Sequence, residues 1–218
     1  MKPALFNTEM VKALLDGRKS VTRRVVKPQP KSRLVYTCMG SNHGAWCYPS
    51  KTVWESWGEE YRLPGTLADA DAARHWNPPY HSGDILYVRE TWAAWSRAEG
   101  LVPKLYYKAD GNAPDSIKWK PSIHMPKEAA GIFLRVTGVW VEHLQDMRMG
   151  DMKAEGMIPT NVSGGSWQQW QRDYAKPAWN STIKKSDLPV YGWDANPWVW
   201  VIEFERISAE EARSENKL

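Results

Sequence analysis

The chain has 218 residues, a mass of 25.0 kDa, a formal net charge of +4 and a pI near 9.0. With 42% hydrophobic and 25% charged residues its composition is that of a globular protein, which excludes a wholly disordered chain, a collagen and a long coiled coil. No apolar run approaches the roughly 20 residues that span a bilayer. The opening MKPALFNTEM lacks the apolar stretch of a secretory signal. These features predict a soluble, cytoplasmic protein with no membrane partner. The bias is aromatic: 14 Trp and 9 Tyr stand beside 3 Phe, a preference for flat side chains that carry a hydrogen-bonding handle.

Residues 7–16 read as a short helix, capped by Asn7 or Thr8, with Met10, Val11, Leu14 and Leu15 as its apolar stripe and Gly17 at the C-terminal turn. Phe6 is placed to pack back onto that stripe. The stretch Ser20–Val26 is β-branched and closed by Pro28 and Pro30, so it reads as a strand. Strand alternation sets Ser20, Thr22 and Arg24 on one face and Val21, Arg23 and Val25 on the other. Residues 31–82 show little periodicity beyond a hairpin and a short helix at Leu67–Arg74, and read as an insertion. Strands follow at Asp84–Glu90, 104–108, Gly131–Val141 (bulged at Gly138) and Trp198–Glu205. A helical turn is expected at Asp151–Gly156, and Trp167, Trp170 and Tyr174 recur at helical spacing before Pro177.

Strands separated by loops and small helices, without βαβ alternation, predict an α+β fold or a small barrel. The domain is expected to span 1–207, with 31–82 inserted and a charged tail, frayed or helical, at 208–218. Trp198 and Trp200 share a strand face with Ile202 and Phe204 and read as core, as do Trp167 and Trp170. Trp46, Trp54, Trp57, Trp76 and Trp92 fall in or beside loops, where stacking on a base becomes possible.

The two cysteines, Cys38 and Cys47, cannot organise a disulfide framework. A zinc site would recruit His43 and either His75 or His81, but the spacing matches no standard Cys-x-x-Cys pair, and two reduced cysteines near a hairpin is the preferred reading. No metal or other cofactor is therefore expected. Charge is concentrated between Lys12 and Arg33, where eight basic residues face the single acid Asp16, a local +7 that leaves the rest of the chain at −3. A basic segment on a near-neutral body suggests a polyanion partner, and the alternative is a solvated charged face.

Four motifs in order carry a resemblance. The run Gly17-Arg18-Lys19-Ser20-Val21-Thr22-Arg23-Arg24 resembles the signature of the ASCH family, close to Gly-x-Lys-Ser/Thr-x-Thr-x-Arg. Gly83–Trp92 is similar to that family's Gly-Asp strand, Ala154-Glu155-Gly156 to its Ala-Glu-Gly helix, and Trp198–Phe204 to its closing strand. The likeness extends to phage and prophage members and covers most of the chain outside 31–82. It implies a PUA-like β-barrel with flanking short helices, and RNA or a modified nucleoside as partner. One branch hydrolyses N4-acetylcytidine with a Lys, a Thr and a Glu, which match Lys19, Thr22 and Glu155, although this chain is about twice as long as members of that branch. Another branch is described as a metal-dependent ribonuclease.

In the hydrolase reading, a neutral Lys19 is the base for the Thr22 hydroxyl, and Glu155 shuttles a proton or orients water. Arg24 binds an oxyanion or a phosphate and Ser20 donates a further hydrogen bond. Arg18, Arg23, Glu90 and Trp92 complete the expected substrate or nucleic-acid contacts. The bland alternatives are that Lys19 and Arg24 only bind phosphate, that Thr22 satisfies a strand neighbour and that Glu155 is a surface carboxylate paired with Arg24. His124 reads as a hydrogen-bonded loop residue in preference to a cleft acid. A non-catalytic reader of RNA or modified bases is the first rival function. A nuclease whose metal is held by Asp84, Glu90 and Glu155 is the second.

Overall fold

A computed structural model describes residues 1–31, 34–37, 45–47, 75–96, 102–158 and 164–215. Strand β1 (Lys2–Leu5) leads into helix α1 (Thr8–Leu15), which begins where the Asn7 side chain accepts from the Met10 backbone N–H and ends at Gly17, φ +72°. Strand β2 (Val21–Val25) follows after only five residues. Next come β3 (Val35–Thr37), β4 (Ala45–Cys47), β5 (His75–Trp76), β6 (Ile85–Arg89), β7 (Trp92–Trp95), β8 (Lys104–Tyr107), β9 (Phe133–His143) and β10 (Trp198–Ile207). Helix α2 (Met149–Ala154) and a helical run over 167–181 lie between β9 and β10, and a last helix, Ala209–Glu215, follows Ile207.

The main sheet has the order β1-β6-β9-β10-β2 and is antiparallel except for the β1–β6 pair. Smaller sheets are β3-β4-β5 and β7-β8. The chain is thus mixed α and β. The closed barrel expected from the sequence is not what the ladders form: among the described residues no backbone pairing joins the edge strands β1 and β2. The two edges do approach at one end, where the Arg24 guanidinium donates to Leu5 O at 2.9 Å.

Strand β10 explains why the sheet is central. Trp198, Trp200, Ile202 and Phe204 face one core with Phe6, Leu14, Leu86, Leu134 and Val136. Val199 and Val201 face a second core with Leu144, Met147, Met152, Trp170 and Trp179. Both faces of the strand are therefore dry, and each fully buried aliphatic residue contributes about 1.5–3 kcal/mol of burial. The expected bulge in β9 is present: Val136 pairs with Phe204 and Gly138 with Glu203, which leaves Thr137 unpaired.

Three elements differ from the sequence reading. Strand β1 was not expected, because KPAL lacks alternation and carries a proline, yet an edge strand tolerates the missing donor. The helix with Trp167 and Trp170 does not stop before Pro177; a π turn at Gln171–Ala175 precedes a further segment Lys176–Ser181, in whose first turn the proline needs no N–H partner. Trp92 lies in strand β7 rather than a loop. The tail is helical over 209–215, where Ala212 packs with Ile85, Phe133 and Ile207. The helix expected at 67–74, with Trp54 and Trp57, lies outside the described residues.

Helices α1 and α2 meet closely where Gly156, φ +73°, follows Glu155; a Cβ there would stand 2.6 Å from the Ala13 Cβ. A Gly156→Ala substitution is expected to lower unfolding free energy by about 2–4 kcal/mol through the left-handed backbone and this clash. Urea denaturation measures it, and a loss below about 0.5 kcal/mol, the size of an ordinary surface change, contradicts the close approach.

Candidate functional site

The short connection from α1 to β2 drives Lys19 inward. The backbone N–H groups of Arg18 and Lys19 both donate to Ala13 O, and Ser20 N–H donates to Ala154 O, which ties the signature loop to the ends of α1 and α2. The Lys19 side chain is 0% exposed, and its Nζ donates to Val21 O (2.7 Å), Glu155 O (2.8 Å) and Glu155 Oε2 (2.8 Å). Three acceptors for three ammonium protons satisfy the charged amine. Burial nevertheless holds Lys19 below the ordinary lysine range. The Glu155 carboxylate opposes that shift by attraction and hydrogen bonding, and Arg24 and Arg23 reinforce it.

Residues 19 and 155 are far apart in sequence, so their contact is the clearest result of folding around the motifs. Thr22 is buried on the next strand, on the face of Ile202 that looks into the first core. Among the described residues no hydrogen bond joins its hydroxyl to Lys19 or Glu155. The structure thus brings two of the three expected catalytic residues together and sets the third on the adjoining strand.

Arg23 projects from the opposite face of β2. It reaches across β10 to Glu142 of β9, donating from Nε (2.9 Å) and Nη2 (2.7 Å) to the same oxygen. Its side chain is 1% exposed, so the expected contact of Arg23 with a polyanion is replaced by an internal ion pair. Glu142 was missed by the sequence reading; its one signal is an acid breaking the apolar run Val139-Trp140-Val141. Four of the eight cations of the basic segment are in this way paired with carboxylates: Lys12 with Glu9, Arg18 with Asp16, Lys19 with Glu155 and Arg23 with Glu142. Ser20 is exposed, and Arg18 also donates to Ile158 O.

Arg24 is the remaining cation of the signature, and among the described residues no carboxylate pairs with it. It borders an open cleft of about 400 Å³ lined by Leu5, Phe6, Asn7, Thr8, Met10, Thr91, Pro121, Ser122, Ser181 and Thr182. One cation and several hydroxyls make this lining suited to a small polar ligand, with Phe6 buried beneath them at 2% exposure. Phe6 separates the cleft from the buried pair: Lys19 Nζ lies 5.4 Å and the Arg24 guanidinium 5.7 Å from its ring centroid. The hydroxyls of Ser181 and Thr182 carried no sequence signal, because they enter from a helix end distant in the chain.

Glu90 and Trp92 flank Thr91 but do not line the cleft. Trp92 is 7% exposed and packs on Met125 and Ala129, with Lys120 Nζ 4.9 Å from its ring, so its expected role in base stacking is not available in this arrangement. Trp46, another proposed stacker, packs edge-on to Trp200. Glu90 is 3% exposed, and burial with the charge of Asp110 pushes its carboxyl up to about 7.

The acids proposed to hold a nuclease metal do not converge. Asp84 is bound by Lys2 and the His81 N–H at one end of β6, Glu90 lies beyond the other end, and Glu155 is on Lys19. Among the described residues no group of three metal-ligating side chains occurs. Of the zinc candidates, Cys38 and His43 lie outside the described residues, and the backbone register sets Cys47 opposite His75. No helix among the described residues is long and apolar enough to cross a membrane.

Two outcomes follow from these burials. Glu155→Ala strands two buried cations and is expected to lower stability by about 3–5 kcal/mol, whereas Lys19→Met combined with Glu155→Leu costs less than the sum of the single changes; additive losses in urea denaturation contradict the pairing. Glu90 keeps its proton in the folded state up to about pH 7 but releases it near 4.5 when unfolded. Stability therefore falls as pH rises from about 5 to 7. Glu90→Gln is expected to flatten that fall, and an unchanged slope overturns the assignment.

Comparison with known proteins finds no matching family model, no matching curated protein and no matching solved structure.

Proposed function

We propose that this chain is an ASCH-type protein with a PUA-like core that binds RNA or a modified nucleoside and hydrolyses an N-acyl group from a cytidine base. The observation that carries the proposal is the buried contact of Lys19 Nζ with the Glu155 carboxylate at 2.8 Å, made by two residues that match separate motifs of the family signature. The approach of edge strand β2 to β1 through Arg24 and Leu5 supports a sheet curled toward a barrel. The ligand enters the cleft above Phe6 with an acceptor oxygen on Arg24, which is a phosphate where the ligand is RNA or a nucleotide.

Neither Lys19 nor Thr22 lines the cleft, so the acyl group reaches them as Phe6 is displaced on binding. Lys19 in its neutral form then takes the proton of the Thr22 hydroxyl as that oxygen attacks the acyl carbon. The carbon–nitrogen bond breaks, and the cytidine amine leaves with a proton delivered through Lys19 and Glu155. Water then hydrolyses the threonine ester, releasing the carboxylic acid and restoring the hydroxyl. Burial beside Arg23 and Arg24 favours the neutral amine this sequence needs, and the hydrogen bond to Glu155 orients it. Rate should therefore rise with pH as Lys19 loses its proton, reaching a plateau below the ordinary lysine range.

Incubation with N4-acetylcytidine, with and without chelator, tests the proposal. Turnover is expected to survive the chelator, to fall about 10²–10⁴-fold in Lys19→Ala and to weaken in Arg24→Ala through KM. Absence of turnover in the wild-type chain, with salt-sensitive RNA binding reduced by Arg24→Ala, assigns a non-catalytic reader instead. RNA cleavage that requires added metal assigns the nuclease.

A further inference from the structure

Glu155 offers Lys19 only half of its carboxylate. Oε2 accepts from Lys19, whereas Oε1 is buried without a hydrogen-bond partner. Arg23 Nη1 stands 3.6 Å from that oxygen and is itself buried without a partner. Two complementary orphans facing each other across a gap slightly longer than a hydrogen bond have both given up solvation for charge proximity alone.

We infer that Arg23 is a positioning residue that shares the Glu155 carboxylate with Lys19, so that the amine can lose its proton while Glu155 keeps a cation beside it. A guanidinium suits this role because it does not deprotonate in proteins. With Arg23 in place, neither protonation state of Lys19 leaves Glu155 as a bare buried carboxylate, the arrangement that burial penalises most. Glu142 sets how far Arg23 leans toward Glu155, since both of its hydrogen bonds from Arg23 fall on one oxygen while Trp140 Nε1 donates to the other at 3.1 Å. Asp151, 3.8 Å from Nη2, adds a weaker, half-exposed anchor. The charged groups acting on Lys19 are thus Glu155, which favours its ammonium, and Arg23 and Arg24, which disfavour it. The inference rests on the hydrolase reading only for the use made of the free amine; the shared carboxylate is a matter of geometry.

The test is the titration of Lys19 itself, followed by NMR of the full chain carrying isotope-labelled lysine, with the Lys19 signal assigned from its absence in Lys19→Arg. Arg23→Gln removes the competing cation and is expected to raise the Lys19 midpoint by about one pH unit. Glu142→Gln releases Arg23 to close on Glu155 Oε1 and is expected to lower the midpoint by a similar amount. Glu142 is not among the charges that act on Lys19 directly, so a fall in Glu142→Gln reports Arg23 closing on Glu155, whereas general loosening moves both variants toward the ordinary lysine value. If Arg23→Gln fails to fold, as judged by near-UV circular dichroism, Glu142→Gln decides alone, and a midpoint at or above that of wild type overturns the inference. Midpoints within about 0.2 pH unit of wild type in both variants overturn it as well. Turnover of N4-acetylcytidine, measured in parallel, separates the two claims. Opposite shifts without turnover refute the hydrolase and keep the clamp; turnover with an unmoved Lys19 does the reverse.

Discussion

The burial of Lys19 against Glu155 is the constraint on which the rest of the structure depends. A lysine ammonium at zero exposure is tolerated only where every proton has an acceptor and a countercharge is at hand. Meeting that demand fixes where α1 must end, where α2 must lie and how β2 must enter the sheet. The close passage of Ala13 past Gly156 is one consequence. The ties of Lys19 N–H to Ala13 O and of Ser20 N–H to Ala154 O are another. The hydrophobic cores on either side of β10 supply the stability that makes such a polar centre affordable.

The same constraint separates three cations around β2. Lys19 and Arg23 are drawn inward and matched by Glu155 and Glu142, while Arg24 stays at the cleft with its charge uncompensated by a carboxylate among the described residues. Alternation along β2 produces this split. Thr22 and Arg24 share the face of Ile202 and Trp200, and Arg23 lies on the face of Val201, within reach of Glu142 across one strand. A local excess of +7 in the sequence therefore does not become a uniform positive surface. It becomes a buried network, two surface ion pairs, the half-buried Arg24 at the cleft and the exposed Lys27 and Lys31.

Legibility in the sequence followed the range of the interactions involved. Helix α1 was readable from Asn7, its apolar stripe and Gly17, because capping and periodicity are local. Strand β10 was readable from alternation, and so was the core role of Trp198 and Trp200. The bulge near Gly138 was also foreseen, since a glycine interrupts a strand pattern. The pairing of Lys19 with Glu155 could be reached only through motif resemblance, as neither residue carries a sign of its partner. Strand β1 was hidden by its proline and its edge position, Trp92 by a cover of Met125 and Ala129 drawn from a distant loop, and Glu142 by a partner chosen across β10. Each of these depends on which segments lie side by side, a property of topology that no local pattern encodes.

The central claim is that the Lys19–Glu155 pair serves the cleft on the other side of Phe6. A crystal structure of the chain with cytidine bound tests it most directly. The base is expected in the cleft over Phe6, with the exocyclic amine directed toward Lys19 and Thr22 and the Lys19–Glu155 contact intact. Cytidine seated away from the cleft, or a Phe6 wall that keeps the bound base out of reach of Lys19, would contradict it.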